Sequence, residues 1–393
     1  MSHSSFRSYY PAFSTREHEL RAYATLDGPL KNRMLPVVTL TRDEAGESFE
    51  GSLDALLQAA GGRPLIVDFD PTFKTSPSDV EIEQRRLRRE AKLLREGKTP
   101  RPPSPKQQEA WDRQRAAARR AVEAFNQSVA RLQAPADGYA AWRSLGLSAP
   151  NLIPTAKLGD PAAALAQVEA VTGAGRRIAF RLNLRDPGAV ASFLYAARGL
   201  NSTDRAILIL DAGYVRDDAR AGMARVVEAL DVIRRGLGGS AFAAMTTVCM
   251  AGSFPSSLRD LPTTLTILER DIHAAVVRHG WDVRYGDHAS IQHRSPMSGG
   301  RGWFPHVDVA HSRQWHFALS DAKWDSDGYI EAAGALVANP PVWGGRAACW
   351  GAAMVERASG GVLDDGAGSR LTTPGPWLGV RVSQHLSQQA VHS

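Results

Sequence analysis

The sequence predicts an α/β protein with a (β/α)8, TIM-barrel-like fold. Eight short apolar runs recur along the chain, and several end on a charged or hydrogen-bonding residue where a strand would end. Most intervals between the runs are long enough for one helix, and several have helical composition. Eight strands that alternate with helices are the arrangement of a (β/α)8 barrel, whose reactive groups gather at the carboxyl ends of the strands. The runs are 8–13, 34–40, 64–70, 151–158, 177–184, 206–213, 241–250 and 282–289.

Capping residues and apolar periodicity predict the helices between these strands. After the fourth run, Asp160 can cap a helix over 160–175, and Gly173 marks its end. The segments 186–200 and 216–236 repeat this pattern after the fifth and sixth runs. A loop interrupted by proline and then a helix separate the last two runs.

A segment of different composition follows the third run. Residues 81–97 and 106–132 have strong helical propensity, and the proline-rich stretch 99–105 between them cannot be helical. Because connections between parallel strands are normally short, we predict a helical hairpin over 74–137 inserted after strand three. The barrel then comprises 1–73 and 138–295, and 296–393 form a C-terminal extension that packs on it. Alternation over 306–321 predicts a pair of strands in this extension.

Composition and charge limit the class of protein. Of the 393 residues, 43% are hydrophobic and 22% are charged, which is ordinary for a globular protein. No apolar run is long enough to span a membrane, and the N-terminus lacks the basic and apolar regions of a signal peptide. Cys249 and Cys349 lie far apart in apolar surroundings, where inert thiols are expected. These features predict a cytoplasmic protein with no membrane partner.

The net charge of +6 belongs mostly to the predicted hairpin. Residues 78–137 carry 14 Lys and Arg against 9 Asp and Glu, so the rest of the chain is nearly neutral. The basic residues could follow a nucleic-acid backbone. Alternatively, the interleaved glutamates make a solvated helix with ion pairs, or the hairpin contacts a protein partner. The residues proposed for either contact are Arg85, Arg86, Arg88 and Arg89.

Polar residues at the strand ends are the candidates for chemistry. Side chains alternate along a strand, so Asp68 and Asp70 share one face, as do Arg181 and Asn183. If that face points into the barrel, acids and bases from different strands meet in one pocket, which suits acid–base catalysis or binding of an anionic group. Paired charges at strand ends can also be structural. The catalytic candidates are Asp68, Asp70, Lys157, Arg181, Asp211, Asp287 and His288, and we expect Asp70, Arg181, Asp211 and Asp287 to surround one cavity. Asn183 and Arg185 are candidates for substrate binding.

Histidines are concentrated late in the chain. His311 and His316 flank Arg313 and Trp315, but their spacing matches no zinc motif, and we predict no metal site. An aromatic loop with one or two histidines facing a pocket is the preferred interpretation. It adds His311, Arg313, Trp315 and His385 to the substrate-binding candidates. The glycine-rich stretches lack the Walker A and dinucleotide-binding patterns, so no cofactor is predicted.

The ordered set of motifs resembles the beta protein family. The motifs are SYYPAFSTREHELRAYATL, LPVVTL, PLIVDFD, ILILDAG, YGDHAS, AHSRQWHFAL and PWLGVRVSQHL, and they cover nearly the whole chain outside 74–137. The family is named for a protein of T-even bacteriophages and occurs in phage genomes and bacterial chromosomes. The resemblance implies a barrel-like α/β fold and a setting of phage–host conflict or mobile elements. It implies no reaction and no catalytic residue. The matching positions are Glu19, Asp68, Arg181, Asp211, Gly286, Asp287 and His385.

Two departures from the family pattern stand out. The family usually has two adjacent histidines where this chain has Gln384 and His385, and an acidic residue where this chain has Ala352.

Two functional hypotheses stay open. One is an antiviral or phage-accessory protein that hydrolyses a phosphate-bearing or nucleic-acid substrate. The other is a non-catalytic scaffold that contacts a protein partner through the hairpin.

Overall fold

The structure is a computed structural model that describes residues 8–42, 48–75, 78–95, 97, 99, 102–291, 303–322 and 325–393. It does not describe the side chains of residues 79, 80, 85, 89 and 92. In chain order the strands are β1 (Tyr9–Ser14), β2 (Val37–Leu40), β3 (Leu65–Phe69), β4 (Leu152–Pro154), β5 (Ile178–Asn183), β6 (Ala206–Tyr214), β7 (Thr246–Gly252), β8 (Thr264–Thr266), β9 (Arg284–Asp287), β10 (His306–Ala310) and β11 (Gln314–Leu319).

Eight of these strands form the predicted parallel barrel. Within the described residues the sheet order is β4-β3-β2-β1-β9-β7-β6-β5, and every neighbouring pair is parallel. A parallel bridge between Thr155 and Ala179 joins β4 to β5 and closes the sheet. The remaining strands form an antiparallel sheet in the order β10-β11-β8. The predicted (β/α)8 fold and the predicted C-terminal pair of strands are therefore confirmed.

The barrel interior is a packed apolar core rather than a channel. One face of the strands contributes a single buried cluster that includes Tyr10, Val37, Ile66, Ile209 and Met250. A side chain at Gly286 would meet Val248 and the Tyr10 carbonyl at about 3 Å, so the eighth barrel strand needs glycine at this depth. Because side chains alternate along each strand, the opposite face packs outward against the helices.

The helices are α1 (Glu17–Ala24), α2 (Gly28–Asn32), α3 (Glu50–Ala60), α4 (Asp79–Arg95), α5 (Pro105–Gln133), α6 (Ala136–Gly146), α7 (Pro161–Gly173), α8 (Ala189–Ala196), α9 (Ala219–Leu237), α10 (Gly239–Ala244), α11 (Leu268–Arg278), α12 (Gly328–Val337), α13 (Pro340–Gly344), α14 (Trp350–Ser359) and α15 (Pro374–His392). The prediction of a strand over 241–250 is wrong in its first half. Residues 241–244 belong to α10, because the alanine-rich start of this run favours a helix.

The inserted segment contains two helices at the predicted positions, α4 and α5. Residues 105–120 of α5 are almost all exposed, but Phe125, Val129 and Leu132 are buried in the same core cluster as the barrel residues Phe49 and Phe69. The second half of α5 is therefore part of the helical layer around the barrel. The boundaries of 74–137 as a unit remain a prediction, and the packing argues for a smaller insertion.

The last helix, α15, lies over the barrel as part of its helical layer. Val382, Leu386 and Ala390 of α15 share a buried cluster with Tyr9 of β1 and Tyr285 of β9. After β9 the chain first forms β10, β11 and α12 to α14 before α15 returns to cover the eighth strand. The C-terminal extension thus supplies the helix that a barrel normally has directly after its eighth strand.

No helix among the described residues is both long and apolar enough to cross a membrane.

Candidate active site at the carboxyl end of the barrel

A cavity of about 460 Å³ opens at the carboxyl ends of the barrel strands. We call it the barrel-mouth cavity. It is lined by side chains from β1, β2, β3, β5 and β6 and from the segments that follow them, together with residues after β9. Its polar and charged lining residues are Ser14, Arg16, Glu19, Thr39, Asp68, Asp70, Arg181, Asn183, Asp211 and His288.

Asp211 at the end of β6 organises one side of this cavity. Its Oδ2 accepts hydrogen bonds from Nε and Nη2 of Arg181 at 2.9 and 2.7 Å. Its Oδ1 lies 3.0 Å from Nε2 of His288 and accepts the Gly213 amide at 2.9 Å. Burial raises the pKa of Asp211, but His288 and Arg181 outweigh it, so the pKa lies well below its usual value. Asp211 is therefore an ionised carboxylate that holds two basic side chains in place.

His288 is fixed on both sides of its ring. Nε2 faces Asp211, and the other edge lies against Gly252 at the end of β7. A Cβ at position 252 would be 2.7 Å from Nδ1 of His288. Glycine is therefore required here for the imidazole to sit beside Asp211.

The end of β3 supplies the facing carboxylates, and each is paired with a lysine. Asp68 forms an ion pair with Lys157, whose Nζ lies 3.9 Å from the centroid of the Phe69 ring. Oδ2 of Asp70 lies 3.3 Å from Nζ of Lys74. Lys157 is not part of the cavity lining but reaches it through Asp68. The shared inward face predicted for Asp68 and Asp70 is confirmed, because both line the cavity.

Glu19 and Arg16 also line the cavity, although sequence reasoning did not select them as site residues. Oε2 of Glu19 accepts the Ser14 amide at 2.6 Å and the Ser14 hydroxyl at 2.7 Å. Glu19 is buried, whereas Arg16 is exposed at the start of α1. Glu19 is among the positions that match the family pattern. The chain order also places both residues, because only two residues separate β1 from α1 and the first turn of α1 must therefore lie at the barrel mouth.

The placement predicted for Asp287 is wrong. Asp211, Arg181 and Asp70 surround the cavity, but Asp287 does not line it. Side chains alternate at the end of β9, so only one of Asp287 and His288 can point inward, and it is His288. Asp287 points outward and is fully buried beneath α15.

Most of the predicted substrate-binding residues also lie away from the cavity. Asn183 lines it, but Arg185 is held beside Asp218 at 3.1 Å and is not among the lining residues. In the small sheet, Nε2 of His311 bonds to the Val342 carbonyl at 2.8 Å, and Arg313 pairs with Asp271. The prediction that His311 and Arg313 face the substrate pocket is therefore wrong.

Trp315 and His385 lie together in the interior instead. Trp315 is fully buried and stacks on His385 with ring centroids 5.7 Å apart. Both were predicted to face the pocket, and this placement is wrong because the β10–β11 pair packs against α15 rather than over the barrel mouth. Among the described residues, no group of three or more His, Cys, Asp and Glu side chains could hold a metal ion.

On the proposed insertion, Arg86 is exposed and pairs with Glu83 at 2.7 Å and with Glu90 at 3.6 Å. Arg88 is also exposed. The side chains of Arg85 and Arg89 lie outside the described part of the structure. Ion pairing within α4 is thus established at Arg86, which leaves less of its charge for a partner.

The fold and the site define the class of this protein as a (β/α)8 barrel with a polar cavity at the carboxyl ends of its strands. The family model for Beta protein matches residues 9–391, and the chain belongs to that family. It is 27% identical to "Protein beta" of Enterobacteria phage P4, over 97% of this chain and 92% of the phage protein. This relative comes from phage P4 rather than from a T-even phage. No solved structure matches the chain.

Proposed function

We propose that this protein is a hydrolase that acts on a phosphate-bearing substrate in the barrel-mouth cavity, in the setting of phage–host conflict. The observation that carries the proposal is the convergence of Asp68, Asp70, Arg181, Asp211 and His288 around one open cavity. Perturbed and charged groups that meet in a cleft are characteristic of catalytic sites. The phage origin of its relative supports the biological setting.

The charges of the cavity suit an anionic substrate. Asp68, Asp70 and Asp211 each have a Lys or Arg partner, so the protein already balances them. Glu19 interacts electrostatically with the partly buried Arg381 of α15. Arg16 adds an exposed guanidinium to the lining. A phosphate group would complement Arg16 and Arg181, because guanidinium groups bind phosphate oxygens through paired hydrogen bonds.

The two sides of the cavity have different chemical roles in this proposal. Arg181, held by Asp211, binds the phosphate and stabilises the charge that develops on it, and His288 holds Asp211 from its other oxygen. Asp70, whose lysine partner Lys74 lies 3.3 Å away, accepts a proton from the attacking water, and Asp68 lies on the same inward face. The water oxygen forms a bond to phosphorus, the ester P–O bond breaks, and the proton passes to the leaving oxygen. Atoms and charge balance without a further reactant.

Turnover of a panel of phosphate-bearing substrates tests the proposal, measured as phosphate release from monoesters and triphosphates and as strand cleavage for oligonucleotides. Phosphomonoesters, nucleoside triphosphates and short DNA and RNA oligonucleotides would be incubated with the wild type and with Asp211→Asn and Asp70→Asn. We expect turnover of at least one substrate class by the wild type and a loss of about 100-fold or more in both variants. Asp204→Asn is the matched control, because Asp204 is exposed and lies directly before β6, at the end of the barrel opposite the cavity.

Two outcomes would contradict this proposal. One is full turnover by folded Asp211→Asn and Asp70→Asn proteins, and the other is no turnover of any class by the wild type. In cells, plating efficiency of phages on hosts that carry the gene should depend on Asp211. Equal plating with the wild-type and Asp211→Asn genes would remove the link between the cavity and phage–host conflict.

A second candidate function is binding of a protein partner through α4 and the first half of α5. The observation that favours it is the exposure of apolar side chains there, with Leu87 51%, Leu94 63% and Trp111 47% exposed. Aromatic and aliphatic anchors of this kind are typical of protein interfaces. A variant without residues 79–118 distinguishes the candidates, because it would keep the hydrolytic activity and lose the binding.

A further inference from the structure

The turn that follows β9 holds two neighbouring side chains on opposite sides of the barrel wall. His288 points into the barrel-mouth cavity, and its amide bonds to the Ala251 carbonyl at 3.2 Å. Asp287 points outward. The next residues, Ala289 and Ser290, have φ values of 49° and 59°. Two successive left-handed residues other than glycine are unfavourable and persist only where surrounding contacts impose them.

Asp287 supplies those contacts. Its Oδ1 accepts the Ala289 amide and the Tyr9 hydroxyl, both at 2.8 Å. Its Oδ2 accepts the Tyr285 hydroxyl at 2.8 Å and faces Nε2 of His385 at 3.0 Å. The bond to the Ala289 amide ties the carboxylate directly to the left-handed turn. The other three donors fix the carboxylate itself, from β1, β9 and α15.

The environment of these groups makes the arrangement rigid. Asp287 and His385 are fully buried, and His385 stacks on the buried Trp315. Burial raises the pKa of Asp287, but His385 and the other donors outweigh this effect. The pKa of Asp287 therefore lies below its usual value, and the carboxyl group is ionised. Arg270 of α11 lies over the Tyr285 ring at 3.8 Å and donates to the Gln389 side chain near the end of α15. The C-terminal helix is thus fastened on the outer side of β9.

We infer that Asp287, Tyr9, Tyr285 and His385 are positioning residues for His288. The C-terminal helix holds the outward carboxylate, the carboxylate holds the Ala289 amide, and the resulting turn places the His288 imidazole against Asp211. As a consequence, α15 controls the geometry of the barrel-mouth cavity. Only the effect of this control on catalysis rests on the proposed function. This arrangement also gives a role to Asp287 and His385, whose residue types are common in catalytic sites but which do not line the cavity.

The test observes the proton that His288 shares with Asp211. An imidazole N–H in a buried hydrogen bond to a carboxylate exchanges slowly with water and gives a resolved proton resonance, which the His288→Gln variant assigns by its absence. The perturbing variants are Tyr9→Phe, Tyr285→Phe and His385→Gln. Each of the tyrosine variants deletes a single hydroxyl and keeps the ring. We expect the His288 proton to exchange about ten-fold faster in all three, since a ten-fold change in an opening equilibrium corresponds to about 1.4 kcal/mol, the size of one net hydrogen bond.

Tyr139→Phe is the matched control, because the Tyr139 hydroxyl accepts the Asp160 amide at 2.9 Å far from β9. It should leave the His288 proton unchanged. An unchanged exchange rate in folded Tyr9→Phe and Tyr285→Phe proteins would overturn the inference, whatever His385→Gln does to folding. Equal acceleration in Tyr139→Phe would overturn it too, because it would show a general loosening of the fold. Since the readout is the His288 proton, the result is separate from whether the cavity is catalytic.

Discussion

Removing residues 74–137 is expected to unfold the barrel, whereas removing only residues 79–118 is expected to leave it folded. The two deletions differ at residues 74–78 and 119–137, which include the second half of α5. Phe125 and Val129 are fully buried, Leu132 is nearly so, and Phe125 packs on Phe49 with ring centroids 4.9 Å apart. Asn126 also exchanges hydrogen bonds of 2.8 and 2.9 Å with the backbone of Lys74.

The magnitude follows from burial. Each of the three buried side chains contributes about 1.5–3 kcal/mol, so the larger deletion removes roughly 5–9 kcal/mol of hydrophobic stabilisation. The total stability of a domain is about 5–15 kcal/mol, so this loss is comparable with the whole. Residues 105–120 are almost all exposed and contribute little. In the smaller deletion, a linker of four Gly and Ser residues after Ser78 is long enough, because residue 119 lies about 10 Å along α5 from Asn126.

The assay is unfolding by heat and by guanidinium, followed by circular dichroism. The smaller deletion should show one cooperative transition with a Tm within about 4 °C of the full chain, equivalent to roughly 1–2 kcal/mol. The larger deletion should show no such transition. Point variants on the same helix provide the control, with Phe125→Ala expected to lose about 3–5 kcal/mol and the exposed Trp111→Ala less than about 0.5 kcal/mol. A cooperative transition at the wild-type Tm in the larger deletion would refute this reasoning.

Three further predictions concern charge and packing. Burial and the nearby Asp287 raise the pKa of Glu269 to about 6, so the folded protein keeps a proton that the unfolded chain releases at lower pH. The free energy of unfolding of the wild type therefore falls as the pH rises through the pKa of about 6. Glu269→Gln should be more stable than the wild type by roughly 2 kcal/mol at pH 7.5, with no difference near pH 4. Urea unfolding that gives the same difference at both pH values would contradict this. Gly252→Ala should displace the His288 ring, lower the free energy of unfolding by about 1–3 kcal/mol and abolish the resonance of the proton between His288 and Asp211. A crystal structure of the variant with the His288 ring in its original place would show the packing argument to be wrong. Changing Arg86 and Arg88 to Gln should alter the free energy of unfolding by less than about 1 kcal/mol, because exposed ion pairs contribute little. The ion pairs of Arg86 argue against a nucleic-acid contact. A filter-binding titration in which the wild type retains DNA or RNA at low salt, with a salt dependence of affinity that is weaker in the variant, would establish that contact.

Alternation and composition were sufficient for much of the barrel. The period of two along strands placed Asp68 with Asp70 and Arg181 with Asn183 on the inner face, and all four line the cavity. The same rule holds at the end of β9, but it allows two assignments there, since either Asp287 or His288 could face inward. Only the register of β9 against β1 and β7 decides between them.

The sequence by itself determined the order of strands and helices, the parallel barrel and most of the inward polar residues, because these depend on local periodicity. The tertiary structure alone decided which distant segments meet. It turned Asp287 outward to His385, buried Trp315 and placed His311 and His385 away from the cavity. It also made α15, which begins 87 residues after the end of β9, the helix that covers the eighth strand. Such contacts depend on packing between segments far apart in the chain, and no local pattern in the residues encodes them.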